Sequence, residues 1–129
     1  MKKVLIVGVK DYVMKSVTNF LRKRGLEVVI ASSFLEAKSW VMNADFDAVI
    51  ADIQPNDPRN RDGLEFLSFV RWRRPLAKVF IISGYGSEEM KKNAYWLGAY
   101  CYLEKPIDFD LLRDRLADAG LLPADKDNG

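Results

Sequence analysis

Short apolar runs alternate with amphipathic stretches along most of the 129-residue chain. The runs are rich in β-branched and aromatic residues, which is typical of buried β-strands. They predict five strands, at Val4–Val7, Val28–Ala31, Ala48–Ala51, Lys78–Ile82 and Tyr100–Leu103. An amphipathic stretch follows each strand, so the pattern predicts a repeated β-α order.

The amphipathic stretches predict five helices with recognisable ends. Asp11 is expected to cap the first helix and Gly25 to follow its end, while Ser33 and Glu36 have the spacing of a capping box for the second. The fourth and fifth helices are predicted at Ser87 to Leu97 and after Asp108. The positions expected to face the core are Val13, Val17, Phe20 and Leu21, then Leu35, Ala37, Trp40 and Val41, then Leu64, Leu67 and Val70, and finally Phe109, Leu112 and Leu116.

The β-α repeats predict an α/β fold, a single-domain doubly wound parallel sheet of five strands with helices on both faces and right-handed crossovers. The predicted domain covers residues 1–119. Residues 120–129 include four polar residues, a proline and two glycines, so we expect a C-terminal tail or a linker stub there.

Composition narrows the function classes. The formal charge of +2 gives no strong attraction to nucleic acid or to membranes, and no apolar run reaches membrane-spanning length. A single cysteine, Cys101, cannot support a disulfide framework and fits a reducing compartment, so we expect a cytoplasmic protein. The absence of histidine excludes imidazole catalysis and histidine-ligated metal sites.

Polar side chains follow three of the predicted strands where each strand ends. Asp52 follows the third, Ser83 and Gly84 follow the fourth, and Lys105 comes shortly after the fifth. Because the carboxyl ends of parallel strands meet at one edge of the sheet, a carboxylate, a hydroxyl and an ammonium are predicted to form a phosphoryl pocket there. Taken singly, each residue is equally well explained as a turn residue, a cap or a solvated lysine.

Several motifs in a fixed order carry a family resemblance. They are Asp52 within Val49–Ile53, Asp62-Gly63 at the third helix, Ser83-Gly84 after the fourth strand, Gly98-Ala99 before the fifth, and Tyr102-Leu103-Glu104-Lys105-Pro106. In this order and on these elements, residues 1 to 119 resemble the receiver domain of two-component response regulators.

The resemblance implies a flavodoxin-like strand order, 2-1-3-4-5, and a signalling module rather than an enzyme. Asp52 would accept a phosphoryl group, while Lys105 and Ser83 would bind its oxygens beside Gly84. Tyr102 would move together with Ser83 as a switch between two packings. The implied partners are a sensor histidine kinase or phosphotransfer protein and an output protein or domain. A second copy of the chain, forming a homodimer, is a further candidate partner.

The end of the first strand departs from the family pattern. Receivers carry an acidic pair there that holds Mg²⁺ with the acceptor aspartate, whereas this chain has Gly8 and Val9. Asp52, a backbone carbonyl near Gln54 and water would make a weak magnesium site or none. The ammonium of Lys10 is a hypothetical substitute for the missing cation, although a solvated loop lysine is the favoured explanation.

Three function classes remain open at this point. The first is a receiver that is phosphorylated on Asp52, and the second is a degenerate pseudo-receiver, an interaction module that works without phosphorylation. The third, an enzyme or cofactor binder on the same fold, is weak because Gly8 to Asp11 is not a flavin phosphate loop and the first strand lacks Asp-x-Asp. The loop from Gln54 to Asp62, the basic cluster Arg71–Arg74 and the aromatic residues Tyr95 and Trp96 are further candidate contact regions. The favoured explanations are instead a tolerated surface insertion for the loop, a solvated helix end for the basic cluster, and core positions for aromatic residues at helical spacing such as Trp96.

Overall fold

Five strands alternate with five helices in the computed structural model, which describes residues 1–53, 60–84 and 86–124, without the side chains of residues 60 and 61. The elements are β1 (Lys3–Val7), α1 (Tyr12–Lys23), β2 (Glu27–Ala31), α2 (Phe34–Asn43), β3 (Ala48–Ile53), α3 (Asn60–Arg73), β4 (Lys78–Ser83), α4 (Glu88–Trp96), β5 (Cys101–Glu104) and α5 (Phe109–Asp118).

The strands form one parallel sheet in the order β2-β1-β3-β4-β5, which confirms the predicted fold. The chain first winds outward from β1 to β2 and then returns to β3 on the other side of β1. Such a reversal opens a crevice at the carboxyl ends of the central strands, where ligands bind in this class of sheet. The register pairs Asp52 with Ile82 and Ile53 with Ser83, so the two polar residues reach this edge on neighbouring strands.

Two apolar cores cover the faces of the sheet, because successive strand residues point to opposite sides. On one face, α2, α3 and α4 pack against the sheet, and on the other α1 and α5 do so. Val49, Ala51 and Ile53 belong to the first core, whereas Ala48 and Ile50 belong to the second. Asp52 continues the second series, at the point where the strand leaves the apolar layer.

The helix ends largely follow the predicted signals. Asp11 and Ser33 cap α1 and α2 through their side chains, and Gly25 takes a φ of 85° just after α1. The capping box is only half formed, since the Glu36 carboxylate accepts from the amide and hydroxyl of Ser32 instead of returning to Ser33.

Predictions for several individual positions are wrong. Trp40, which was expected to face the core, is 38% exposed. Leu35 is 80% exposed, because α2 buries Ala37 and Val41 and a residue two places before Ala37 lies on the opposite side of the helix. The third strand continues through Asp52 to Ile53 and the fourth ends at Ser83, so both polar residues are part of their strands and do not follow them.

The basic cluster at the end of α3 has a structural role. Arg73 and Arg74 donate hydrogen bonds to the carbonyls of Met42 and Val41 in the last turn of α2, and Arg71 donates to the Pro75 carbonyl. These carbonyls have no partner within a helix, so the arginines stabilise helix ends. Over the described ranges, no helix is long and apolar enough to cross a membrane.

Candidate functional site

The centre of the crevice is an ion pair between Asp52 and Lys105. The Lys105 ammonium lies 2.9 Å from Oδ2 of Asp52, and the two side chains are 12% and 2% exposed. Lys105 is positioned by its own backbone amide, which donates to the carbonyl of Ser83 at the end of β4. The structure therefore brings together the carboxylate and the ammonium that the sequence places 53 residues apart.

Two buried hydroxyl groups lie on the neighbouring strands. Ser83 is fully buried and Tyr102 is 6% exposed. Neither Oγ of Ser83 nor the Tyr102 hydroxyl has a hydrogen-bond partner within the part of the chain that the structure describes. A buried hydroxyl without a partner costs about 1–3 kcal/mol, so both groups are ready to bind an added acceptor or donor.

Gly86 packs closely against these hydroxyl groups. A Cβ atom at this position would lie 1.6 Å from the Tyr102 hydroxyl and 3.2 Å from Oγ of Ser83. Only glycine therefore permits the buried position of the Tyr102 ring. Gly86 was not among the predicted site residues, although glycines at 84 and 86 flanking a single residue are a signal of close backbone approach.

Asp11 also belongs to the site, although the sequence predicts only a helix cap at this position. Its Oδ1 atom accepts from the amide of Met14 at 2.9 Å, as predicted, while its Oδ2 atom lies 2.6 Å from the Lys105 ammonium. Partial burial opposes ionisation of Asp11, but the hydrogen bonds from Lys105 and Met14 outweigh it and the pKa of Asp11 is lowered. Lys105 is thus shared by two carboxylates.

The same balance acts on the ammonium. Burial lowers the pKa of Lys105, but the hydrogen bonds to Asp11 and Asp52 outweigh burial, so its pKa lies above the ordinary value. Lys105 is therefore a fixed positive charge at neutral pH. Lys10, the hypothetical substitute cation, has an exposed side chain, and among the described residues the ammonium that reaches Asp52 is that of Lys105.

The residues described around Asp52 do not fit a carboxylate-rich magnesium site. Gly8 and Val9 have no side-chain oxygen, and no group of three acidic, cysteine or histidine residues that could hold a metal ion occurs within the described ranges. The two oxygens of Asp11 already accept from Met14 and Lys105. Gln54, whose carbonyl was the other expected ligand, lies outside the described residues, as does most of the loop up to Asp62.

The backbone at Gly8 also disfavours any residue with a side chain at this position, where the family has the first residue of the acidic pair. Its φ is 91°, which L-residues rarely adopt, and a Cβ atom there would lie 3.2 Å from Cβ of Asp52. A carboxylate at position 8 would thus need a different backbone conformation at the end of β1.

We expect Gly8→Ala to lower the free energy of unfolding by more than Gly25→Ala does. Both glycines have a φ near 90°, so both alanines carry the cost of about 1–2 kcal/mol for a left-handed residue. A Cβ at Gly25 meets nothing within 4 Å, whereas at Gly8 it presses on Asp52. Urea unfolding of the two variants measures the difference, and equal losses would contradict the close contact with Asp52.

The remaining predicted site residues lie around this pocket. The stem of Lys105 passes over Gly84, where an added Cβ would lie 3.8 Å from Cδ of the lysine. The hydroxyl of Tyr95 in α4 accepts a hydrogen bond from the Tyr102 amide at 3.0 Å, which joins α4 to the edge strand β5. Trp96, which helical spacing made an expected core residue, is instead 89% exposed.

The sequence is similar to those of known response regulators and transcriptional regulators. The chain is 35% identical over 109 residues to a putative response regulator NtrX-like of Rickettsia bellii, covering 84% of this chain and 23% of that protein. It is 35% identical over 99 residues to the transcriptional regulatory protein ZraR of Klebsiella oxytoca, covering 77% of this chain and 22% of that one. The chain thus spans less than a quarter of the length of these curated relatives.

A solved structure of a receiver domain protein has the same fold as this chain. The CheY-like response regulator receiver domain protein of Methanospirillum hungatei has a TM-score of 0.80 and 29% identity, with 93% of this chain and 94% of that chain covered. The sequence pattern of the family described as the response regulator receiver domain matches residues 4–117. That match includes Asp52, Ser83, Tyr102 and Lys105, which the fold gathers at one edge of the sheet. The chain belongs to the response regulator receiver domain family of two-component signalling.

Proposed function

We propose that this receiver accepts a phosphoryl group on Asp52 and signals its state through the face formed by Ser83, Tyr102 and α4. The observation that carries the proposal is the buried ion pair between Asp52 and Lys105, at 2.9 Å, beside the hydroxyl of Ser83, which has no hydrogen-bond partner among the described residues. A nucleophilic carboxylate, a fixed cation and a free donor are the groups that phosphoryl transfer needs for positioning and charge neutralisation.

In the proposed step, an oxygen of Asp52 forms a bond to phosphorus while the bond between phosphorus and the donor's leaving group breaks. The leaving group keeps the electron pair, and the product is an acyl phosphate. Lys105 moves from the carboxylate to an oxygen of the phosphoryl group, and Ser83 donates its hydroxyl proton in a hydrogen bond to another. Both interactions strengthen as charge develops on these oxygens.

The phosphorylated state would then be passed to α4. Once Ser83 turns toward the phosphoryl group, the space beside the Tyr102 ring changes, and the ring and α4 repack as a two-state element. The hydrogen bond between Tyr95 and the Tyr102 amide supports this route, since it joins α4 to β5 directly. Exposed aromatic side chains on α4, above all Trp96, are suited to anchor a partner.

The proposed partners are a sensor histidine kinase or phosphotransfer protein as donor and an output protein or domain as recipient. We propose a signalling role in the cytoplasm and no enzymatic activity of the chain's own. The ZraR relative is named a transcriptional regulatory protein and is several times longer than this chain, so an output of that kind is a proposal only. Magnesium is proposed to bind weakly, because Gly8 and Val9 offer no carboxylate.

A second candidate function rests on the same departure. If the missing acidic pair prevents phosphorylation, the chain is a pseudo-receiver that binds partners in one fixed conformation. The observation in its favour is the backbone at Gly8, whose φ of 91° and contact with Asp52 oppose a carboxylate at that position.

Intact mass after treatment with acetyl phosphate, with and without Mg²⁺, distinguishes the two functions. We expect a mass increase of one phosphoryl group that Asp52→Asn abolishes and Asp114→Asn, an exposed aspartate of α5, leaves unchanged. Absence of any adduct in the presence and absence of Mg²⁺, while a typical receiver is modified in parallel, would favour the pseudo-receiver.

A further inference from the structure

The Lys105 ammonium is the only group shown between two carboxylates in the described part of the pocket. Its distance to Asp11 is 2.6 Å and its distance to Asp52 is 2.9 Å, so the closer bond is to the residue outside the family's motif. Asp11 is 46% exposed at the mouth, whereas Asp52 is 2% exposed at the base. A group entering the pocket therefore meets Asp11 first.

The charges of these three residues sum to −1, because Lys105 neutralises one carboxylate and Asp11 and Asp52 each carry a negative charge. A phosphoryl donor is an anion, so it is repelled by the negative charge of Asp11. It also needs the ammonium that Asp11 holds. The repulsion and the occupation of the ammonium by Asp11 both oppose acceptance of the phosphoryl group.

We propose that Asp11 is a positioning residue that competes with the incoming phosphoryl group for Lys105 and thereby restrains the reaction at Asp52. The inference rests on the proposed function of Asp52 as acceptor. It assigns to Asp11 a role that is separate from its cap, since Oδ1 binds the Met14 amide and Oδ2 binds Lys105.

The two oxygens allow the two roles to be separated by one substitution. In Asp11→Asn the side-chain carbonyl still caps α1, because asparagine is as good an N-cap as aspartate, whereas the carboxylate charge is lost. Asp108 is a matched control, since it caps α5 in the same way, with Oδ1 accepting from the amides of Asp110 and Leu111.

The test compares the wild type, Asp11→Asn and Asp108→Asn in the rate of adduct formation with acetyl phosphate. We expect Asp11→Asn to react about fivefold faster at low ionic strength, the size of effect that a partly exposed ion pair supports. The gain should shrink at about 0.5 M salt, where charges at the pocket mouth are screened. Asp108→Asn is expected to react at the wild-type rate.

NMR titration of the Lys105 side chain supplies a readout that a lost cap would not move. Because hydrogen bonds to Asp11 and Asp52 raise the pKa of Lys105, removing the Asp11 charge should lower it, with no change in Asp108→Asn. If the pKa of Lys105 is the same in Asp11→Asn as in the wild type, the inference is overturned.

The outcomes separate the inference from the proposed function. If the wild type forms an adduct and Asp11→Asn forms it at an equal or lower rate, the inference is wrong and the function of Asp52 stands. If the adduct appears only in Asp11→Asn, the restraint by Asp11 is supported, but the wild type does not accept the phosphoryl group as proposed. If neither protein is modified, both the function of Asp52 and the restraint by Asp11 are refuted.

Discussion

Lys105→Met is expected to slow phosphoryl addition to Asp52 on the order of 100-fold, which is the usual effect of removing one charged or hydrogen-bonding group that stabilises developing charge. The reason is geometric, since the Lys105 ammonium lies 2.9 Å from the acceptor carboxylate and is only 12% exposed. The rate is measured by intact mass after timed exposure to acetyl phosphate. Lys10→Met is the matched control, because Lys10 is exposed and is expected to leave the rate nearly unchanged.

The ion pair itself is tested by a double-mutant cycle on the free energy of unfolding. Lys105→Met, Asp52→Asn and the double variant are unfolded in urea, and a coupling of about 1–3 kcal/mol is expected for residues in direct contact. Additive losses, or a rate in Lys105→Met close to that of the wild type, would contradict the assignment of Lys105 as the main partner of Asp52.

Gly86→Ala is expected to expel the Tyr102 ring from its buried position. The added methyl group would overlap the Tyr102 hydroxyl, which lies 1.6 Å from the ideal Cβ position, and the long side chain can yield more easily than the backbone. We expect the ring resonances of Tyr102 to shift toward solvent-exposed values and the protein to lose about 1–3 kcal/mol of stability, the usual cost of overpacking.

Gly84→Ala is the control for this substitution. It adds the same methyl group two residues earlier, where the nearest atom is Cδ of Lys105 at 3.8 Å, an ordinary contact. Its effect on Tyr102 is expected to be small. A Tyr102 ring that keeps its buried environment in Gly86→Ala would contradict the close contact and show that burial of the ring does not depend on this glycine.

The strand order and the gathering of distant polar residues could be predicted because both follow from local patterns. Apolar runs determine five strands, and the carboxyl ends of parallel strands must meet at one edge, which places Asp52, Ser83 and Lys105 together. The packing of α2 was less predictable, since hydrophobicity put both Leu35 and Ala37 in the core although they lie on opposite sides of the helix and Leu35 is exposed.

The contact between Asp11 and Lys105 could not be predicted from the sequence. The capping role of Asp11 can be recognised from the few residues that follow it in the sequence. Its second oxygen, in contrast, contacts a side chain 94 residues away. The same limit applies to Gly8 and Gly86. Both could be identified as glycines in turns, but only the fold shows that one lies against Asp52 and the other against Tyr102.

Chemical trapping of the acyl phosphate tests whether Asp52 is the residue that accepts the phosphoryl group. The protein is treated with acetyl phosphate, the product is reduced with borohydride, which converts an acyl phosphate to an alcohol, and the peptides are mapped by mass. We expect homoserine at position 52. Recovery of unmodified aspartate at position 52, with and without Mg²⁺, while a typical receiver is converted in parallel, would contradict this assignment.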